Sequence, residues 1–135
     1  MSPRPFPLVL AVAIIVIALV NMFAHTFYWY WIMRWFDMPM HFAGGAWLAG
    51  VAIWFRFFSG KLQGQARGLP HILLWGIGVA LCVGLVWEGY ETIVSLSTVG
   101  HINSIPDTIS DLVFDFLGAL FVGVGAWIRF RNTII

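Results

Sequence analysis

Three stretches of the sequence carry carboxylate and imidazole side chains at intervals of three or four residues. In chain order these residues are Asp37 and His41, then Glu88 and Glu91, then Asp107, Asp111 and Asp115. Residues three or four apart lie on one side of an α-helix, so each stretch can present its polar groups to a common interior. Carboxylate oxygens with an imidazole nitrogen suit Zn, Mn or Fe, whereas an all-oxygen set suits Mg or Ca. The pattern therefore predicts a divalent metal site.

Apolar helices must position these groups. A helix that crosses a bilayer needs about 20 mostly apolar residues, and four stretches qualify, namely 6–23, 38–55, 71–93 and 107–128. Hydrophobic residues make up 61% of the 135-residue chain and charged residues only 10%, far from the average of soluble domains. The sequence predicts a single all-α domain, residues 1–135, that forms an integral membrane four-helix bundle with the lipid bilayer as its surroundings.

The basic residues predict how this bundle is oriented. Of the seven Lys and Arg residues, only Arg34 lies between the first two helices. The others are Arg4, Arg56, Lys61, Arg67, Arg129 and Arg131, which all fall on the opposite side. The positive-inside rule therefore places both termini in the cytoplasm. The segment 25–36, between the first two helices, is rich in aromatic residues and is expected to lie at headgroup depth on the outer face.

All six acidic residues fall at the outer end of the predicted bundle. At a rise of about 1.5 Å per residue, the polar groups form layers at different depths. The boundary layer contains Asp37, Glu91 and Asp107, the layer one turn deeper contains His41, Glu88 and Asp111, and Asp115 lies alone below them. An ionisable group at the centre of a membrane helix costs about 2.5 to 3.5 kcal/mol on insertion scales. The cluster therefore needs either a bound cation or shared protons.

We assign roles to these residues from their depth and type. The expected metal ligands are Asp37, His41, Glu88 and Asp111. Asp115 or Glu91 is expected to act as a general base. Asp107 is expected to be a further site residue at the outer boundary.

Several of these residues also have simpler explanations. Asp37, followed by Pro39, could cap the start of a helix. Asp107 follows Ser104 at the spacing of a capping box. His41 could be an interior histidine that is hydrogen-bonded to a carbonyl group. Capping does not extend to the deeper carboxylates, so the metal site remains the sharper hypothesis.

The three motifs resemble a known group of proteins. The segments Asp37-Met-Pro-Met-His41, Glu88-Gly-Tyr-Glu91 and Asp111-Leu-Val-Phe-Asp115 are similar to the signature of small bacterial membrane proteins of the YjdF and VanZ-like type. In that group an Asp-x3-His pair, a Glu-x2-Gln or similar pair and an Asp-x3-Asn-x2-Gly run recur in this order. Acidic residues stand here where amides are frequent in the VanZ-like branch, so the YjdF branch is closer. The resemblance implies a location in the bacterial inner membrane and a role at the cell envelope.

Three kinds of function are compatible with the sequence. A metal-dependent enzyme or binding protein would act at the outer leaflet on a lipid headgroup or a lipid-linked envelope intermediate. A transporter would move protons or cations past the intramembrane carboxylates, and an accessory subunit would use the polar cluster only to hold its helices together. The net charge of +1 and the absence of a basic stripe argue against nucleic acid binding. The oligomeric state stays open.

Overall fold

The computed structural model describes residues 6–62, 68–98 and 104–134, and the regular secondary structure in these ranges is helical throughout. The helices are α1 (Leu8–Thr26), α2 (Trp29–Ile32), α3 (Asp37–Phe57), α4 (Leu69–Thr98) and α5 (Ile105–Ile134). The predicted all-α class is therefore confirmed. Two of the basic residues that determine the expected orientation, Arg4 and Arg67, lie outside the described ranges.

Helices α1, α4 and α5 are long and apolar enough to cross a membrane. Helices α4 and α5 each contain 30 residues, which corresponds to about 45 Å and exceeds the roughly 30 Å hydrocarbon core of a bilayer. Their ends therefore extend beyond the apolar stretches that the sequence predicts. Helix α3 is long enough to cross a membrane, since its 21 residues correspond to about 31 Å. It is not among the three helices that are also apolar enough.

The lower hydropathy of α3 follows from its position in the fold. It packs against α1, α4 and α5, which makes it the central helix. A helix enclosed by other helices does not have to present an apolar surface on every side. Its interior can therefore carry His41 and several glycines, whereas the apolar window of α1 is only 6% buried.

Helix α1 is attached to the bundle through α3. The indole Nε1 of Trp47 donates a hydrogen bond of 2.8 Å to the carbonyl oxygen of Leu10. The ring of Phe6 meets the ring of Trp54 edge to face, with 5.0 Å between the centroids. The side chain of Leu10 also lies over Gly50. These contacts place α1 outside the three-helix core that α3, α4 and α5 form.

Two apolar clusters fill the interior of that core. The first consists of small residues from each helix, Ala49, Ala80 and Ala119. The second lies toward the end of the bundle where the basic residues are found and consists of Ile53, Phe57, Phe58 and Ile72. Small residues allow the helices to approach closely at mid-height, and larger side chains fill the wider space at the basic end.

Helices α3 and α5 approach each other through two glycines. A Cβ atom at Gly118 would collide with the main chain of α3 at Phe42 and Ala46. A Cβ atom at Gly45 would collide with the main chain of α5 at Asp115. Glycines at such positions allow backbone contact that larger residues prevent. The contact sets the axial position of α5 relative to α3.

The aromatic segment between α1 and α3 contains the short helix α2. Tyr28 precedes it with a left-handed backbone conformation, φ 58°, while Phe36 is buried at the start of α3. The hydroxyl of Tyr30 donates a hydrogen bond of 2.6 Å to Oδ1 of Asn21. Burial, reinforced by nearby carboxylates, raises the pKa of Tyr30 from 10.0 to about 12. The hydroxyl therefore stays protonated and holds the segment against α1.

The glycine contact between α3 and α5 can be tested by substitution. We expect Gly118→Ala to destabilise the protein by about 1 to 3 kcal/mol, because the new methyl group collides with the main chain of α3. Gly125 lies on the same helix with no neighbouring atom within 4 Å of an added Cβ, so Gly125→Ala controls for the higher helix propensity of alanine. Denaturant unfolding in detergent would compare the variants. Equal stability of both variants would refute the close approach.

Candidate metal centre

His41 lies at the centre of the polar cluster, one turn into α3, and is 8% exposed. Its Nε2 atom lies 3.7 Å from Oδ1 of Asp37, 3.9 Å from Oε1 of Glu88 and 3.9 Å from Oδ2 of Asp111. Its Nδ1 atom lies 3.4 Å from Oδ1 of Asp115. Helices α3, α4 and α5 therefore bring four carboxylates around one imidazole.

Part of this cluster has the spacing of a metal site. One ligand atom each from Asp37, His41 and Asp111 lie within 4.8 Å of one another. Two ligand atoms that each lie about 2.1 Å from a metal ion are at most about 4.2 Å apart, so small side-chain movements would suffice. The structure thus contains a buried His/Asp group that could hold a metal ion.

Glu88 adds a buried carboxylate whose oxygens lack hydrogen bonds within the described residues. It is 4% exposed, and both of its side-chain oxygens lack a hydrogen-bond partner within the described residues. The Oδ2 atom of Asp115 is in the same situation. A buried carboxylate without a hydrogen bond is costly, because its 3.9 Å approach to His41 replaces only part of the hydration that it loses. The donor set therefore fits a cation, whose charge would offset these oxygens.

Asp115 lies one turn below the other polar groups, as the sequence spacing predicts, but it is not alone. Its Oδ1 atom lies 3.4 Å from Nδ1 of His41. Its backbone lies over Gly45 on α3, and its carboxylate lies over Gly84 on α4. Gly84 stands four residues before Glu88, and Gly45 stands four residues after His41. This helical spacing is the feature of the sequence that could have identified the two glycines as neighbours of the polar groups.

The two capping explanations have different outcomes. The backbone N–H of Asp107 donates a hydrogen bond of 3.3 Å to Oγ of Ser104, so Ser104 caps the start of α5. Asp107 itself is exposed and is not among the carboxylates that contact His41. Helix α3 begins at Asp37 after Phe36, with no side-chain hydrogen bond at the cap. Capping therefore accounts for the first turn of α5 but does not explain Asp37.

Glu91 lies at the outer edge of the cluster. It is half-buried and within electrostatic range of Asp37 and Glu88. Tyr30, from the aromatic segment, is within range of both Asp37 and Glu91. The aromatic segment is therefore near Asp37 and Glu91, the less buried side of the cluster.

The comparisons with known proteins support the membrane assignment. A family model described as "Predicted membrane protein (DUF2238)" matches residues 3–132. The chain belongs to this family. The match includes every residue of the His41 cluster, all of α3 and α4, and all but the last two residues of α5. No curated protein and no solved structure matches the chain.

The buried carboxylate of Glu88 gives a stability prediction for the metal-free protein. In the presence of a chelator, we expect Glu88→Gln to raise the free energy of unfolding by about 1 to 3 kcal/mol, since it removes a buried charge whose oxygens lack a hydrogen bond within the described residues. The matched control is Glu91→Gln, which removes the same charge from a half-buried position on the same helix and should change stability less. Thermal unfolding in detergent measures both effects. A less stable Glu88→Gln variant would contradict the prediction.

Proposed function

We propose that this protein is a four-span membrane protein that binds a divalent metal ion at the outer face of the bacterial inner membrane. The proposed ligands are Asp37, His41, Glu88 and Asp111. The observation that carries the proposal is the buried imidazole with four carboxylates around it. Such a set of charges within apolar helices is typical of a functional site, because its burial is costly.

The proposed topology includes α3 as the fourth span. Its support is the 21-residue length of α3 and its central place between the three apolar helices. Arg34 is near the acidic end, whereas Arg56 and Lys61 follow α3 toward the opposite end, and Arg129 and Arg131 lie near the end of α5. The excess of basic residues supports a cytoplasmic location for that end and for both termini.

The donor set favours Zn, Mn or Fe over Mg or Ca. One imidazole nitrogen is available beside carboxylate oxygens, whereas Mg and Ca prefer oxygen ligands alone. Asp37, His41 and Asp111 are already spaced for a metal ion. The oxygens of Glu88, which lack a hydrogen bond within the described residues, also support a bound cation. Once bound, such an ion would act as a Lewis acid toward a phosphoryl or carbonyl oxygen, or toward water.

Asp115 is best interpreted as a positioning residue. Its buried carboxylate lies 3.4 Å from Nδ1 of His41, on the side of the ring away from the other carboxylates. A proton on Nδ1 would leave the Nε2 lone pair directed at the proposed metal position, as is common for metal-binding histidines. The sequence predicts Asp115 or Glu91 as the general base. Because Asp115 is occupied with His41, we propose Glu91, which is half-buried at the outer edge.

We further propose that the site acts on or binds a lipid headgroup or a lipid-linked envelope intermediate. The support is the position of the aromatic segment, whose side chains at Trp31 and Trp35 are 77% and 60% exposed. Exposed tryptophans settle among lipid headgroups. Because Tyr30 of the same segment is within electrostatic range of Asp37 and Glu91, headgroups and the outer edge of the site would be at a similar depth.

Ion transport is less well supported. A path for protons or cations needs polar groups through the full thickness of the membrane. Below the His41 cluster, the described interior is filled first by Ala49, Ala80 and Ala119, and then by Ile53 and Ile72. This apolar interior favours a site that is open only to the outer face.

Metal content is the direct test of the proposal. We expect elemental mass spectrometry of the detergent-purified protein to find stoichiometric Zn, Mn or Fe, and to find little in His41→Ala or Asp111→Asn. Asp107→Asn, which removes an exposed carboxylate from the same helix, should retain the metal. Re-addition of metal at 100 times its Kd should stabilise the chelated parent by about 2.7 kcal/mol. Metal-free parent protein that is stabilised only by changes in pH would favour shared protons instead.

The role of Asp115 gives a separate prediction. We expect Asp115→Asn to weaken metal affinity by about 10- to 100-fold, because an amide is a poorer partner for the Nδ1 proton of His41. A competition titration with a chromophoric chelator measures the affinity, and circular dichroism checks that the variant remains helical. Affinity equal to that of the parent would exclude a positioning role for Asp115.

A further inference from the structure

A groove lies between α3 and α4, toward the end of the molecule opposite the acidic cluster. Its walls are apolar and come from both helices, with one basic residue at its end. The larger lining residues are Leu48, Val51, Phe55, Arg56, Trp75 and Val79, and Ala52 lies between them. Both helices are part of the membrane bundle, so the groove faces the acyl chains of the surrounding lipid.

Two cations lie against the aromatic walls of this groove. The guanidinium Cζ of Arg56 is 5.4 Å from the ring centroid of Trp75. The ammonium Nζ of Lys61 is 5.8 Å from the ring centroid of Phe55. Cations at these distances are attracted to the faces of the rings. The cation–π contacts therefore hold two positive charges at one end of the apolar groove.

The sequence places no aspartate or glutamate near these cations. All six acidic residues belong to the opposite end of the bundle, in or around the His41 cluster. Basic pockets between membrane helices attract lipids with anionic headgroups. A second copy of this chain is a poor occupant, because a symmetric dimer through this face would bring Arg56 and Lys61 toward their own copies.

We propose that this groove is a binding site for an anionic phospholipid. One acyl chain lies along the apolar walls between Val51 and Val79, and the phosphate lies between Arg56 and Lys61. The site is separate from the metal centre and does not depend on a bound metal. Its ligand is a structural or regulatory lipid at the basic end, distinct from any substrate at the outer face.

Native mass spectrometry with added lipid tests this inference. The purified full-length protein is titrated with phosphatidylglycerol or with phosphatidylcholine of the same chain length. We expect tighter binding of phosphatidylglycerol, and we expect Arg56→Gln or Lys61→Gln to weaken it by about fivefold. Arg131→Gln, which removes an exposed charge outside the groove, should leave the affinity unchanged. Inorganic phosphate should not displace the lipid.

A variant without a charge change tests the acyl groove itself. Val79→Phe narrows the groove while the cations remain, so it should also weaken phosphatidylglycerol binding. Circular dichroism and thermal unfolding confirm that each variant is folded, and Lys61, which is exposed, gives a variant with little risk to folding. Equal affinities for the two lipids, or an equal loss in Arg131→Gln, would overturn the proposal. Unchanged binding by Val79→Phe would also overturn it.

Discussion

Four carboxylates face one imidazole inside a bundle whose remaining interior is apolar. Each charged group loses hydration on burial, and the mutual repulsion of the carboxylates adds to this cost. The cluster persists only if the helices hold the groups close to His41 and to a compensating charge. The helix contacts, the small core residues and the central place of α3 all serve this requirement.

The close approach of the helices is what makes the cluster geometrically feasible. Gly45 and Gly118 allow main-chain contact between α3 and α5, and Gly84 leaves room for the carboxylate of Asp115. If α5 were displaced by the width of a methyl group, Asp115 and Asp111 would move away from the two sides of the ring. The packing residues and the polar residues are therefore parts of the same site.

Much of the site could be predicted from the sequence, because helical spacing determines which residues share a face. The Asp37 and His41 pair and the Asp111 and Asp115 pair illustrate this. The axial offset between helices could not be predicted, since it depends on glycine contacts between segments far apart in the chain. For that reason the contact between Asp115 and Nδ1 of His41 was not predicted. Helical spacing also placed Asp107 on the same face of α5 as Asp111 and Asp115. In the structure Asp107 is exposed in the first turn of that helix.

The order of the helices in the chain has a consequence for biogenesis. Asp111 and Asp115 lie on α5, which is synthesised after the helices that carry His41 and Glu88. Until α5 arrives, a nascent α3 and α4 expose these polar groups to the translocon or to lipid. The aspartates of α5 in turn gain their partner only by docking on α3. Membrane insertion of α5 and assembly of the polar cluster are thus coupled in one step.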